Sequence, residues 1–271
     1  MSVPPPRGID HVVLAVHDLE AARREFAALG FTLTPRAEHP FGTDNCLIQL
    51  RECFIELLTV ARPKLIPPHA PRQFSFAAFN RDFLAKQEGL AMLVFDSRDA
   101  AKDRDAFAAA GLPDYERFDF SRQAGLPDGR QVTVGFSLAF ATDPGMPEAA
   151  FFTCQQHAPE HFWKPDYQRH GNGAYGISEI VMVAAEPAQH RAFFNRLQGA
   201  ANVRALPEGL KVATTRGTLS VVTPTVFERR YPGFDAPDVA AGPRFGAIKI
   251  AGVRSPRTLA LFGAVLELTE S

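Results

Sequence analysis

The stretch GIDHVVLAV (residues 8–16), followed by DLEAARREFAALGF (residues 18–31), decides how the rest of the chain is read. The first segment is rich in Val, Ile and Leu, which favour a pleated, half-buried strand. The second carries Ala22, Phe26 and Leu29 at helical spacing, with Asp18 placed to cap it and Gly30 to stop it. Alternation along the strand puts His11, Val13 and Ala15 on one face and Val12, Leu14 and Val16 on the other. The valine and leucine face suits the helix, so His11 is expected on the opposite, concave face.

The same opening recurs. Gly89-Leu-Ala-Met92, Gly176-Ile-Ser-Glu179 and Gly246-Ala-Ile-Lys249 each lead a further aliphatic run. After each comes an expected helix: 97–113 with Ser97 or Asp99 as cap, 185–200 with Pro187 near its first turn, and the shorter 254–264. Strand patterns follow in the first three copies: 31–38, 43–50 and 53–60; then 115–121, 130–141 and 148–157; then 202–208, 210–216 and 218–224. The unit is thus strand, helix and three strands, and the fourth copy is expected to stop after its strand and helix. This gives a first unit at 1–62, a linker at 63–88 and a second unit at 89–157, the two units forming an N-terminal domain. A connector at 158–175 then leads to a C-terminal third unit and truncated fourth unit at 176–271. The fold class is α+β: repeated βαβββ units forming half-open β-barrels with helices outside, and a cavity where two units meet.

Composition narrows the function. A net charge of −1 offers no field for nucleic acid or anionic lipid. No apolar run is long enough for a membrane span, and MSVPPPRG lacks the pattern of a signal peptide, so a cytoplasmic location is expected. Cys46, Cys53 and Cys154 form no CxxC pair and read as reduced thiols. Phosphate-loop, dinucleotide, nucleophile-elbow and HExxH motifs are absent. The 23 Phe against 4 Tyr and 1 Trp suit an apolar cavity lining for a hydrophobic or aromatic ligand.

Glu56 lies in CFIELLTV between Phe54 and Leu58 on one face. A carboxylate there is costly unless a metal or a donor meets it, and burial would suit it to act as a general base. Its plainer reading is a wet edge residue or a structural hydrogen bond. His11 is either a metal ligand through neutral imidazole or a hydrogen-bonded histidine in an apolar barrel. Asn45, after the Gly42 turn, either donates to a substrate oxygen or stabilises the turn, and His39 is expected at the surface. In FFTCQQH, Gln155 and His157 share a face and are taken to point inward. Asn172-Gly173 reads as a turn dipeptide beside the cavity. The connector, with His161, Trp163, Tyr167 and His170, either covers the cavity mouth or simply packs. Glu179 and Lys249, at the position of His11 in the last two units, are expected as a structural pair.

These segments, with GTDN (42–45), FIELL (54–58), FFTCQQH (151–157) and HGNGA (170–174), resemble the vicinal oxygen chelate superfamily and its glyoxalase-like domain proteins. The likeness is closest over residues 8–184. It implies the glyoxalase/bleomycin resistance/dioxygenase-like fold, with a divalent metal (Zn, Fe, Mn or Ni) held by His and Glu on first and last strands. Carried over, it places His11 and Glu56 as ligands, with His157 as a further ligand, Glu56 also catalytic, and Asn45, Gln155 and Asn172 as substrate-binding residues. Met92 stands where a second histidine would, and cannot serve a hard metal. The expected function is a metal-assisted lyase, isomerase or ring-opening enzyme on a small substrate with vicinal oxygens. The alternative is a metal-free small-molecule binding protein of the same fold. Expected partners are a small-molecule substrate or ligand and, as an open option, a second copy in a homodimer.

Overall fold

The computed structural model describes residues 7–125 and 131–270; Arg130, at the head of the expected 130–141 strand, falls outside them. The first unit comprises β1 (Ile9–Ala15), α1 (Leu19–Ala28), β2 (Ala37–Glu38), β3 (Thr43–Gln49) and β4 (Phe54–Val60). Helix α2 (Phe76–Leu84) follows, then β5 (Gly89–Asp96), α3 (Ala100–Ala109), β6 (Phe118–Gly125), β7 (Gln131–Ala141) and β8 (Ala150–Gln156). The short α4 (Pro159–Phe162) leads to β9 (Gly176–Val183), α5 (Arg191–Gln198), β10 (Val203–Leu206), β11 (Gly209–Ala213) and β12 (Thr218–Val222). Helix α6 (Pro224–Arg230) and strands β13 (Arg244–Ala251), β14 (Arg257–Leu261) and β15 (Ala264–Thr269) complete the chain.

The strands form two sheets, β2-β3-β4-β1-β5-β8-β7-β6 and β10-β11-β12-β9-β13-β15-β14. Each is built about a central antiparallel pair, β1 with β5 and β9 with β13, flanked by parallel partners. The first sheet curls into a half-open barrel with helices outside. Asp18 caps α1 through the Ala21 amide at 2.9 Å, and Asp99 caps α3 through Lys102 at 3.1 Å.

The convex faces of both sheets share one apolar core. Val12, Leu14 and Val16 meet Phe26 of α1 there, while Phe151 of β8 lies 5.2 Å from Phe193 of α5 and 5.5 Å from Phe245 of β13. The concave faces differ. In the C-terminal sheet, α6 fills the hollow with Val226, Phe227 and Tyr231 against Val181 and Val265. In the N-terminal sheet, α2 closes one end and leaves a cavity.

The fourth unit departs from expectation. Residues 254–264 form no helix; β14 and β15 make a hairpin about Phe262-Gly263, both at positive φ (46° and 71°). That is the two-residue turn whose twist matches paired strands, and Leu259 and Leu261, two residues apart, alternate as a strand does rather than as a helix. In the first unit, the strand expected over 31–38 shrinks to two residues, because Pro35 has no amide to offer the ladder. Glu179 and Lys249 are register neighbours but do not pair with each other. Glu179 takes Ser220 and Arg230, and Lys249 takes Glu267 at 3.1 Å. No helix among the described residues is long and apolar enough to cross a membrane.

Candidate functional site

A cavity of about 40 Å³ lies inside the N-terminal barrel, walled by rings such as Phe54, Phe76, Phe120 and Phe152. One wall is polar. His11 enters from β1, as its alternation requires, and its ring stacks on Phe54 with centroids 4.2 Å apart. Nδ1 lies 2.6 Å from Asp10 Oδ2, an oxygen that accepts, so Nδ1 carries a proton and Nε2 is the ring nitrogen turned toward Glu56. Gln156 Nε2 donates to the other Asp10 oxygen at 3.2 Å and holds the carboxylate in place.

Glu56 stands on β4 beside β1, Val13 being its register partner. Its Oε2 is 3.7 Å from His11 Nε2, too long for a hydrogen bond and wide enough for a substrate atom to sit against both. Asn45 Nδ2 donates to Oε1 at 2.6 Å and faces His39 Nε2 at 3.3 Å. Burial pushes the Glu56 carboxyl up from its ordinary range, with His11, the Asn45 hydrogen bond and Arg122 pulling the other way. Since Asn45 occupies Oε1 as an acceptor, a proton on Glu56 belongs on Oε2, the oxygen turned toward His11.

His39 is not at the surface. Gly42, at φ 93°, allows a turn that folds His39 back onto Thr43, and an added Cβ there would lie 2.5 Å from the Arg62 carbonyl. The histidine is buried, stacked on Phe41 at 4.9 Å and hydrogen-bonded from Nδ1 to Thr43 Oγ1 at 2.8 Å. Burial, with Arg122, Arg62 and His11 nearby, drives its pKa down to about 3, so it is neutral.

Three residues expected at the site lie elsewhere. On β8, Phe152 and Cys154 line the cavity, so Gln155 faces outward, where its amide oxygen accepts from the Ala100 amide at 3.0 Å at the start of α3. His157 is exposed, with Nε2 2.8 Å from Ser137 Oγ. Asn172 donates to the Leu29 carbonyl at 3.0 Å and accepts from Ala174, bracing the connector rather than the cavity. For Gln155 and His157 the source is the same: β8 is buried on both faces near its start, so its composition does not say which alternate set points inward. His11, Glu56 and Asn45 are brought together as neighbours.

Composition alone did not mark His39 or Arg122 as part of this wall, or Asp10 as the partner behind His11. Asp10 was legible only as an acidic neighbour of His11. The connector does cover the mouth: Gln49 donates to the Phe162 carbonyl at 2.9 Å and accepts from the Lys164 amide at 3.0 Å, seating Phe162 over Phe54.

The donor set decides whether a divalent metal fits. His11 backed by Asp10 has the form of a metal ligand with a carboxylate behind it. The second unit does not answer it. In register, Met92 repeats the place of His11 and Phe152 that of Glu56 (Val94 pairs with Phe152 as Val13 pairs with Glu56), and neither binds a hard cation. No group of three or more His, Cys, Asp or Glu able to hold a metal occurs among the described residues. Two donors fall short of the three protein ligands of a catalytic metal site.

A family model for the glyoxalase-like domain matches residues 9–198. Among solved structures, a hypothetical protein from Staphylococcus aureus aligns with a TM-score of 0.70 at 13% identity, over 96% of this chain and 98% of that one. A mutant of 4-hydroxymandelate synthase from Streptomyces coelicolor aligns with a TM-score of 0.52 at 14% identity, over 91% of this chain and 72% of that one. At such identities the likeness is one of fold. A comparison with curated proteins finds no match.

Proposed function

For this chain, which belongs to the glyoxalase-like domain family of the vicinal oxygen chelate superfamily, we propose an enolising enzyme acting on a small carbonyl compound. The observation that carries this reading is the 3.7 Å gap between His11 Nε2, placed to act as the base, and Glu56 Oε2, an acid kept toward its neutral form. His11 takes a proton from the carbon next to the carbonyl. The electron pair of that C–H bond moves into the carbon skeleton, and the carbonyl oxygen accepts a hydrogen bond or the proton from Glu56 Oε2. Return of a proton to either face or to a neighbouring carbon completes an isomerisation, and loss of a leaving group completes a lyase reaction. The apolar walls exclude water and strengthen both interactions. Asp10 stabilises the imidazolium that forms on His11, and Asn45 holds Glu56 in place.

Deuterium exchange tests the proposal. Protein treated with EDTA is incubated in D₂O with butanone and 2-oxobutanoate, and loss of the proton next to the carbonyl is followed by NMR. Exchange above the spontaneous rate is expected for the wild type and not for His11→Ala or Glu56→Gln. Exchange that appears only after reconstitution with Zn, Mn, Ni or Fe would favour the metal-assisted reading. Binding of these compounds without exchange under any condition would favour a sequestering protein, for which the Phe-lined cavity is equally suited.

A further inference from the structure

Strand β6 carries an arginine where its pattern calls for a ring. Phe118, Phe120 and Arg122 alternate along it; the two rings stack on each other at 5.7 Å and meet Phe41 across the cavity. Asp119, between the two rings, accepts from Arg117, and Gln123, just beyond Arg122, donates to Thr133, so neither takes part in the inner wall. Arg122 therefore turns its guanidinium inward, into a wall of phenylalanines.

Its place is a junction. The inner cavity of about 40 Å³ adjoins an outer cleft of about 440 Å³, and Leu47, Phe162 and Arg122 line both. Leu47 and Phe162 are apolar, so Arg122 is the charged group between the two spaces. Burial disfavours its cation, and Glu56 offsets this at a distance rather than in contact. Glu56 is itself held toward neutrality, which leaves the guanidinium short of a full counter-charge. Other cations of the outer cleft are differently placed: Arg36 is taken by Asp44 at 2.8 Å, and Lys164 lines the outer space alone.

We propose that Arg122 anchors a carboxylate of the ligand, so that the site takes small monocarboxylates with the charged end at this junction and the carbon chain inward. A guanidinium presents paired N–H donors matched to a carboxylate, and such pairs strengthen in a low-dielectric site. One half-buried cation balances one negative charge, which favours a carboxylate over a phosphate dianion. Size follows from the inner space: about 40 Å³ takes roughly three water-sized groups, so a chain of three or four carbons fits without moving a ring. An acid so placed brings the carbons beyond its carboxylate toward His11 and Glu56. The inference rests on reading this cavity as the ligand site, and is independent of the proton chemistry.

The experiment compares butanoate with butanamide, and 3-phenylpropanoate with 3-phenylpropanamide, by chemical-shift titration of ¹⁵N-labelled protein. Wild type is expected to bind butanoate at least about tenfold more tightly than butanamide, the worth of a charge-assisted hydrogen bond. Arg122→Gln is expected to bring the acid down to the level of the amide, while Arg122→Lys keeps part of the preference. The phenyl pair is expected to bind more weakly than the butyl pair, because it must displace a ring. Equal affinity for acid and amide in the wild type overturns the proposal, as does failure of butanoate to bind. So does an unchanged preference in Arg122→Gln; should that variant not fold, Arg122→Met is read in the same way. Glu56→Gln separates this from the catalytic reading: it is expected to keep acid binding and lose deuterium exchange. Arg122-dependent acid binding without exchange in the wild type would sink the enolising function and leave the anchor standing.

Discussion

Asp10 Oδ2 and His11 Nδ1 are 2.6 Å apart, although the two residues are sequence neighbours on one strand whose side chains would normally point to opposite faces. The register shift between Ile9 and His11 in the β1–β5 pairing makes this possible, by bringing both side chains toward the same region. The consequence is a fixed tautomer. Asp10→Asn keeps the shape and removes the charge, so the imidazole is expected to become a mixture of tautomers. Nitrogen chemical shifts of the His11 ring report this directly, and deuterium exchange should fall by about two orders of magnitude or more. A ring that stays in the Nδ1–H form with unchanged exchange would remove Asp10 from the mechanism.

Glu56 sets function against stability. Its folded pKa is raised above the unfolded value, so at higher pH the folded chain holds a proton that the unfolded chain has released. Stability from this group is present at low pH and is lost as pH rises through the carboxylate range and above. The charged and titratable groups facing it are His11, His39, Asp10 and Arg122; Asp10 acts with burial, and burial outweighs the opposing pull of His11 and Arg122. Glu56→Gln keeps an acceptor for Asn45 and cannot ionise. The variant is expected to resist urea better than the wild type at pH 8, with the gap closing toward pH 4, while exchange is abolished. A wild type that is the more stable at pH 8 would show that Glu56 is ionised and well paired.

Much of the fold was legible because local and global signals agreed: Asp18 and Asp99 cap where hydrophobic spacing begins, and the valine face of β1 meets α1. His11 and Glu56 were legible for the same reason, since polar groups inside apolar strands must be compensated. What escaped the sequence depended on tertiary placement. His39 is drawn inward by a turn, Arg122 by the register of an edge strand, and the inward set of β8 by a burial pattern without alternation. The last hairpin escaped because Phe262 occupies a backbone conformation that aromatic residues seldom adopt, so no turn dipeptide announced it.

That hairpin also ties the ends of the two sheets together. A Cβ on Gly263 would lie 2.2 Å from the Glu88 carbonyl, at the start of β5, and the residue has φ 71°. Gly111, which follows α3 at φ 79°, has nothing within 4 Å of an added Cβ and isolates the conformational cost. Gly111→Ala is expected to cost about 1 kcal/mol in urea unfolding. Gly263→Ala adds a backbone clash and should cost clearly more. Equal losses would mean that the Glu88 contact yields without strain.

His39 gives the site its own acid limit. Its folded pKa of about 3 lies below the ordinary value of 6.5, so between these the unfolded chain binds a proton that the folded chain refuses. Stability therefore rises with pH across that window, is complete above pH 6.5, and is lost as pH falls toward 3. Arg122, Arg62 and His11 face the ring and oppose its charge; Glu56 Oε1, at 3.9 Å, offers little compensation while its own carboxyl is held toward neutral. Single-site linkage then gives a slope of about 1.4 kcal/mol per pH unit. His39→Gln can still accept from Asn45 and cannot take a proton, so its stability should vary less between pH 6 and pH 4 than that of the wild type. The check is a pair of urea titrations at several pH values, and parallel curves for the two proteins would mean that His39 charges without cost inside its cage of phenylalanines.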